Sequence, residues 1–537
     1  MSISVKQEET NTPPVLSGAW PFLGHLLAFR QAPIATMQRV SDSCGEIGTM
    51  ILGPQKVALL SGEKAHEAFF RAPDEQFDQA QAYPFMKPIF GAGVVFDAEN
   101  PEQRRQAMKN QALRDTQMRG HAEGIAAETE KMCARLGSEG EIDLLSFFSE
   151  LTIYTSTACL IGREFRDEIT GEFAELFHEL ERGTDTLAYV SPYLPLSSFR
   201  RRDRARAALV ARIEAIIEGR RREGRRTKDL VGVLTSLVDE AGVSRYSADQ
   251  ITGMFISLMF AGHHTTSGTA AWTLIELLRN PETQASVNDE LDTLFSNGGE
   301  VSYHALREIP VLEASITEAL RLHPPLILLM RKVTEEFQYG GFRVPAGWNA
   351  AVSPAVSNRM ASSFPEPDRF DASRHLGSSP QSRRIFSYLS FGGGRHRCVG
   401  AAFALMQLKA IFSVLLREFE FELAQPSEHY QNDETRMVVQ IQQPCRVRYR
   451  RRVARDVQDV ASVGSGGEAA GAARIHVDRD LCQGHGVCAS ECPELFAVDP
   501  EELKVVLRSE EVPEELRERA ERAVRYCPTR ALSITSD

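Results

Sequence analysis

No stretch of this chain limits its possible folds more than FGGGRHRCVGAAFALMQLKAIFSVLLREF, residues 391–419. Its three glycines let the backbone turn tightly and come close to a flat ligand. The cysteine that follows, Cys398, opens a strongly apolar helix. At a helix N-terminus, flanked by Arg395 and Arg397, a thiolate is favoured by the dipole and the two positive charges, and a thiolate is what binds iron. A second long element must cross the same domain. Ser247 and Gln250 spell a capping box and RNPE at 279–282 supplies a proline stop; the ~33 residues between them span roughly 50 Å as helix.

At 537 residues, 42% hydrophobic and 25% charged, the chain exceeds one hydrophobic core. A formal net charge of −12 argues against a nucleic-acid partner, which rewards basic surfaces. The start, MSISVKQEETNTPPVLSG, is polar and proline-broken, with no run suited to a signal peptide or membrane anchor. The most apolar helical stretch, 251–278, is interrupted by Gly, His and Thr and reads as a buried core helix. These features predict a cytoplasmic protein. Nine cysteines in so long a chain make no disulfide scaffold. Cys44, Cys133, Cys159 and Cys445 read as packing residues. Four others crowd into the last 56 residues.

In EALR, Glu318 and Arg321 stand at i, i+3 on one helix face, able to pair. PDRF at 367–370 offers Arg369 as a second arginine for that carboxylate. Each pattern is weak alone. In this order, upstream of the glycine-rich cysteine loop, they resemble the haem-thiolate monooxygenases, the cytochrome P-450 family. The resemblance implies a mainly α fold with a small β-sheet region and haem b held by Cys398. As axial thiolate, Cys398 would favour O–O cleavage by electron donation. The resemblance also implies a structural network of Glu318, Arg321 and Arg369. Most members carry Arg two residues before the cysteine, where this chain has His396.

That departure marks one subfamily. YPFMKPIFGAGVVFD at 83–97, AGHHTT at 261–266 and HPPLILLMR at 323–331 are similar to the sterol 14α-demethylases, and the likeness runs from about residue 15 to 452. It implies His264 as proton relay in place of the usual acid, and Thr265 as the residue that orients oxygen. On the residues alone, Thr265 could equally bond back to its own helix, and His264 could be an ordinary core histidine. Tyr83, Arg331 and His396 match positions that would hold the haem propionates, with Phe391 and Gly394 also at the haem. A rigid, flat sterol needs a long apolar cavity. Phe85, Met86, Phe90 and Phe96 from the aromatic loop and Phe260 and Ala261 from the long helix could line it. The implied reaction is three successive O2-dependent oxidations that remove a methyl group as formate. Another polycyclic or fatty substrate, or a haem-binding sensor or relay, are the other readings.

Nothing up to residue 452 resembles a flavin or nicotinamide site, yet such an oxygenase needs electrons. The tail offers a source. CQGHGVCASECP, then Cys527-Pro528, resembles a small bacterial ferredoxin, whose usual motif is C-x2-C-x2-C-x3-C-P. His485 fills the second cysteine slot, which implies a [3Fe–4S] cluster on Cys482, Cys488 and Cys527. Cys492 reads as a non-ligand; a [4Fe–4S] cluster using His485 or Cys492 is the alternative. Zinc also takes Cys and His at short spacing. A separate NAD(P)H-dependent ferredoxin reductase is the expected partner, and the host bacterial.

These readings divide the chain into a polar tail 1–14, a body 15–455, a linker 456–473 and an α+β ferredoxin-like domain 474–537. The Gly/Ala/Ser linker would span roughly 20–25 Å as coil. Six arginines lie between Arg446 and Arg455, and Asp plus Glu outnumber Lys plus Arg by 14 to 9 in the last domain. The arginine run is therefore either a docking patch for the acidic tail or a solvated strand edge.

Overall fold

The computed structural model describes residues 11–93, 115–168, 171–181, 188, 191–227, 229–238, 242, 244–296, 299–377, 385–436, 438–452, 473–499, 502, 504–527 and 529–536. Phe96 and the predicted linker fall outside them, except Ala473, which opens a strand rather than ending the linker.

The long helix forms as its caps dictate. It runs Ala248–Arg279, with Ser247 and Gln250 closing a reciprocal capping box, and Pro281 begins the next helix after Asn280. Its threonines are satisfied within the helix, where Thr265, Thr269 and Thr273 each donate to the carbonyl four residues back. Helices Asp115–Cys133, Leu144–Ser156, Pro310–Leu322 and Ala401–Glu418 surround it, and their apolar faces meet in one core that includes Phe148, Leu274, Ile316 and Phe412. By length and composition, Leu144–Ile161 is apolar enough to cross a membrane, but 72% of it is buried inside the protein. That stretch, rather than 251–278, is the one that reaches such apolarity among the described residues.

A five-stranded sheet flanks the helices, in the order Ile47–Leu52, Gln55–Leu60, Asn349–Val352, Leu329–Val333, Phe77–Asp78. Phe77 pairs with Val333 and Asp78 with Lys332, which brings the segment leading to Tyr83 alongside Arg331. His66 ties the sheet side to the cysteine loop. Its Nδ1 lies 2.8 Å from the Phe386 carbonyl, its Nε2 2.8 Å from Ser357 Oγ, and burial lowers its pKa to about 4.

Two expectations need correction. Glu318 and Arg321 pair twice at 2.8 Å, both fully buried, but Arg369 does not complete the network. Its side chain is 66% exposed and pairs with Glu366, contributing to Arg321 only its carbonyl. Arg374 and His375, in the short helix Ala372–His375, supply the missing cations at 3.3 and 2.9 Å from the Glu318 oxygens. The PDRF segment lends the helix its carbonyls, from Pro367 and Arg369 to Arg321, and the turn after it lends the side chains. Glu318 is held at about 2, where the hydrogen bonds of Arg321 and His375 overcome the burial that opposes ionisation.

The arginine run is neither a docking patch nor an edge. Arg446–Arg451 is the central strand between Glu139–Asp143 and Phe419–Leu423. Its arginines face the body's own acids: Arg446 pairs with Glu141, Arg450 with Glu420, Arg451 with Glu418, and the following Arg452 with Asp292.

The tail has its own small core. Ala473–Val477 lies between Glu511–Val512 and Leu532–Ser536, with a hairpin of Phe496–Val498 and Val505–Leu507 and helices Val487–Glu491 and Arg517–Arg525. Ile475, Leu495, Phe496 and Ala520 are among its buried centre.

Candidate active site

The cysteine loop is built by backbone geometry. Gly392 and Gly394 take φ of 67° and 59°, a left-handed conformation that glycine adopts without strain. A Cβ on Gly394 would collide with the Phe70 carbonyl, and one on Gly393 would press on the Phe70 ring. The loop therefore lies flat against helix Glu63–Arg71. Cys398 N–H donates to the Phe391 carbonyl at 2.8 Å, and the helix follows at Ala401 after the cap Gly400. Burial pushes the Cys398 thiol up, against the pull of the Gly400 N–H and of Arg397. The helix terminus and Arg397 thus act in the expected direction, but burial outweighs them. Cys398 is nevertheless open to internal space, being exposed although deep within the protein. A cation on the sulfur would remove the conflict.

The long helix has an open face of its own. Ala261 is exposed and Thr265 half-buried in a helix otherwise buried around them, so this i, i+4 face opens inward. The Thr265 hydroxyl donates to Ala261 O at 2.6 Å, which commits its proton and leaves its oxygen as an acceptor. His264 sits one step round, 9% exposed, its ring 5.5 Å from that of Phe260 and 6.4 Å from Phe177. Phe90 meets Phe260 at 6.0 Å, while Phe85 packs at 5.6 Å on Tyr83. Half-buried Met86 touches both groups. The aromatic residues are thus gathered in two neighbouring clusters. Phe177 joins them with no sequence signal that could have singled it out.

Tyr83, Arg331 and His396 come together as expected. Met330 links the first two, its N–H donating to Tyr83 Oη at 2.9 Å and its carbonyl accepting from Arg331 Nη1 at 2.7 Å. Arg331 is 5% exposed. His396 Nε2 lies 2.6 Å from Asp74 Oδ1, and Asp74 also attracts Arg331. Burial lowers the His396 pKa, opposed by the hydrogen bond to Asp74. Sequence reasoning missed Asp74, which lies 322 positions from its partner. A buried guanidinium and a phenol gathered with an imidazole two residues from Cys398 along the chain fit the carboxylates of a haem.

In the tail, Cys482, His485, Cys488 and Cys527 line one pocket with Val498 and Val505. Val505 N–H donates to Cys482 Sγ and Ala531 N–H to Cys527 Sγ, both at 3.3 Å. Burial, with Cys527 and Cys482 nearby, drives the Cys488 thiol up to about 12. A cationic centre among the three sulfurs would relieve that opposition at Cys488. Among the described residues no group of three or more His, Cys, Asp or Glu is placed to hold a single metal ion. Cys492 lies outside the cavity, fully buried in the core of the tail.

Residues 13–449 match the family described as cytochrome P450. The chain belongs to that family. It is a haem-thiolate monooxygenase, an oxidoreductase. Residues 475–534 of this P450 match a second family, described as a 4Fe-4S single cluster domain, which makes the tail a ferredoxin-type iron–sulfur module. The P450 is 57% identical over 445 residues to a protein named sterol 14alpha-demethylase from Mycobacterium tuberculosis (strain ATCC 25618 / H37Rv), over 82% of this chain and 98% of that one. It is 36% identical over 449 residues to the sterol 14-demethylase of Arabidopsis thaliana, over 82% of this chain and 91% of that one. Among solved structures, retinoic acid bound cyanobacterial CYP120A1 superposes with a TM-score of 0.73 at 22% identity, over 82% of this chain and 99% of that one.

Proposed function

We propose that this P450 is a sterol 14α-demethylase that carries its own electron donor. The observation that carries the reading is the 57% identity sustained over 98% of a sterol 14alpha-demethylase. In this reading the body is residues 15–455 and the donor 474–537, joined by 456–473. The protein is cytoplasmic and bacterial, and a separate NAD(P)H-dependent ferredoxin reductase supplies the electrons.

Cys398 holds the haem through its sulfur, and Tyr83, Arg331 and His396 hold its propionates. Haem, when bound, supplies the activation of O2 for insertion into a C–H bond. The chain's own residues then bind, orient and move protons. Phe85, Met86, Phe90, Phe260 and Ala261 bind the flat apolar face of the sterol and exclude water. Thr265, its proton given to Ala261, accepts a hydrogen bond in the cavity and so orients a protonated oxygen there. His264, the neighbouring residue, relays protons toward that point. Three successive oxidations take the methyl group to alcohol, then aldehyde, then formate, leaving a double bond in the sterol.

In the tail, Cys482, Cys488 and Cys527 hold a [3Fe–4S] cluster, with His485 in the position of the ligand that would bind a fourth iron. The three cavity thiols and the exclusion of Cys492 support this nuclearity.

The test is turnover of a 14α-methyl sterol by the purified chain with NADPH and a foreign ferredoxin reductase, without added ferredoxin. Formate and demethylated sterol are expected from the wild type, and none from Cys482→Ala. Absence of product from wild type with an intact reduced haem–CO spectrum, even with added ferredoxin, would remove the sterol substrate. Iron without acid-labile sulfide in the tail would remove the donor role.

A further inference from the structure

The tail touches the body through the neighbours of its cavity thiols. Gln483, next to Cys482, donates from Nε2 to the carbonyl of Arg397 at 2.6 Å, and Arg397 precedes Cys398. Glu491 ends the helix that carries Cys488, and its Oε1 accepts from Arg307 Nη1 at 2.6 Å. Tyr526 precedes Cys527; its ring centroid lies 3.5 Å from the Arg307 guanidinium carbon, and its hydroxyl donates to Glu308 at 3.1 Å. The Arg307–Glu491 pair is well screened from water, at 11% and 13% exposed. Asp478 of the tail lies 3.6 Å from Arg71 of the body. Body cations thus meet tail anions on the side of the body where the cysteine loop runs.

Resting on the donor reading above, we propose that the tail works docked rather than roaming on its tether. Arg307 is its latch, and Gln483 is the bridge that couples Cys482 to Cys398. Chain bonds join Cys482 to Gln483 and Arg397 to Cys398, and one hydrogen bond closes the gap between them. The step moves one electron and no proton. The iron–sulfur cluster on the tail thiols is oxidised by one unit, and ferric haem is reduced to ferrous; the flavoprotein reductase returns the cluster to its reduced form. Both named residues are positioning residues.

The experiment uses the loaded full-length chain under CO, with the cluster photoreduced and the appearance of ferrous haem–CO followed in time. Hydrogen exchange of residues 389–398 and small-angle scattering are measured in parallel. Wild type transfers at a rate independent of protein concentration. Arg307→Glu slows transfer about 100-fold, as expected for reversing a well-buried pair, exposes 389–398 to exchange and expands the particle. Arg307→Glu with Glu491→Arg restores all three. Gln483→Leu slows transfer about fivefold, the scale of one hydrogen bond, with scattering and both reduction potentials unchanged. Wild-type rate and protection in Arg307→Glu overturn the latch, and a wild-type rate in Gln483→Leu overturns the bridge. Failure of the donor reading looks different: the wild-type chain itself then passes no electron to haem, although each centre is separately reducible.

Discussion

Two loops in this molecule carry the cysteines proposed to bind iron, and they are fastened in different ways. The Cys398 loop is held largely by side chains other than its cysteine. Asn358 accepts from Leu389 N–H and donates to Ser390 Oγ, both at 2.9 Å, and His66 grips Phe386. In the tail Cys482 and Cys527 each accept a backbone N–H, as Cys398 does from Gly400. The cavity thiols also pack directly on the tail's small apolar core. Burial opposes the thiolate at both places, so both require a cation. On the proposed ligands, iron would be a guest of the body and a structural member of the tail, where metal binding is folding energy.

The sharpest test of that contrast removes one metal at a time. Cys488→Ala, or chelation of the tail iron, is expected to speed amide exchange in the strands 473–477 and 532–536 at least about 100-fold, while helix 248–279 keeps its protection. Cys398→Ser is expected to abolish turnover and the thiolate haem–CO spectrum, and to leave amide protection in both regions close to wild type. Collapse of the body in Cys398→Ser would erase the distinction.

The next largest effect lies in the body's own polar core. Glu318→Ala leaves Arg321, fully buried, without its carboxylate. The expected cost is about 4 kcal/mol in urea unfolding, the scale of a broken buried ion pair, with the tail's metal content unchanged. A loss under about 1 kcal/mol would mean that the carbonyls of Asn358, Pro367 and Arg369 are enough for that guanidinium.

How much of this was legible in the sequence follows from which forces are local. The capping box of Ser247 and Gln250, the glycine-rich loop and the crowded tail cysteines act over a few residues, so their spacing could be read directly. Cys492 could be separated from the ligands because its partner thiols were short by one set. Asp74 could not be found, since its pairing with His396 depends on the sheet that brings distant segments together. Arg374 could not be found either, because it follows Arg369 within one turn-rich segment and only the backbone path decides which faces Glu318. Docking through Arg307 was illegible for the same reason: one arginine in an unremarkable turn outranks a run of six.

His66 tests the fastening of the cysteine loop through pH. Its folded pKa of about 4 lies below the ordinary 6.5, because burial disfavours the charged ring. Below pH 6.5 the unfolded chain therefore binds the extra proton first. The stabilisation is complete above 6.5 and is lost as pH falls toward 4, by about 3 kcal/mol in all. His66→Gln is expected to flatten the part of the urea-midpoint profile between those values. An unchanged profile would assign the acid sensitivity of the body to other groups.

The smallest effect is the most discriminating about surface charge. Arg450 and Glu420 form a good ion pair at 2.7 Å, yet they are 70% and 53% exposed. Arg307 and Glu491 are of the same chemical type at 2.6 Å, 11% and 13% exposed. Water and salt screen the first pair, and holding two long side chains in one geometry offsets what attraction remains. Arg450→Ala is therefore expected to leave the urea midpoint of the body, its salt dependence and tail docking where they were, by unfolding curves and small-angle scattering at two ionic strengths. If Arg450→Ala instead releases the tail, the arginine-rich strand contributes a long-range field that its local pairs do not cancel. The six arginines would then act on docking from a distance, and the choice between strand and latch would have to be made on net charge rather than on contact.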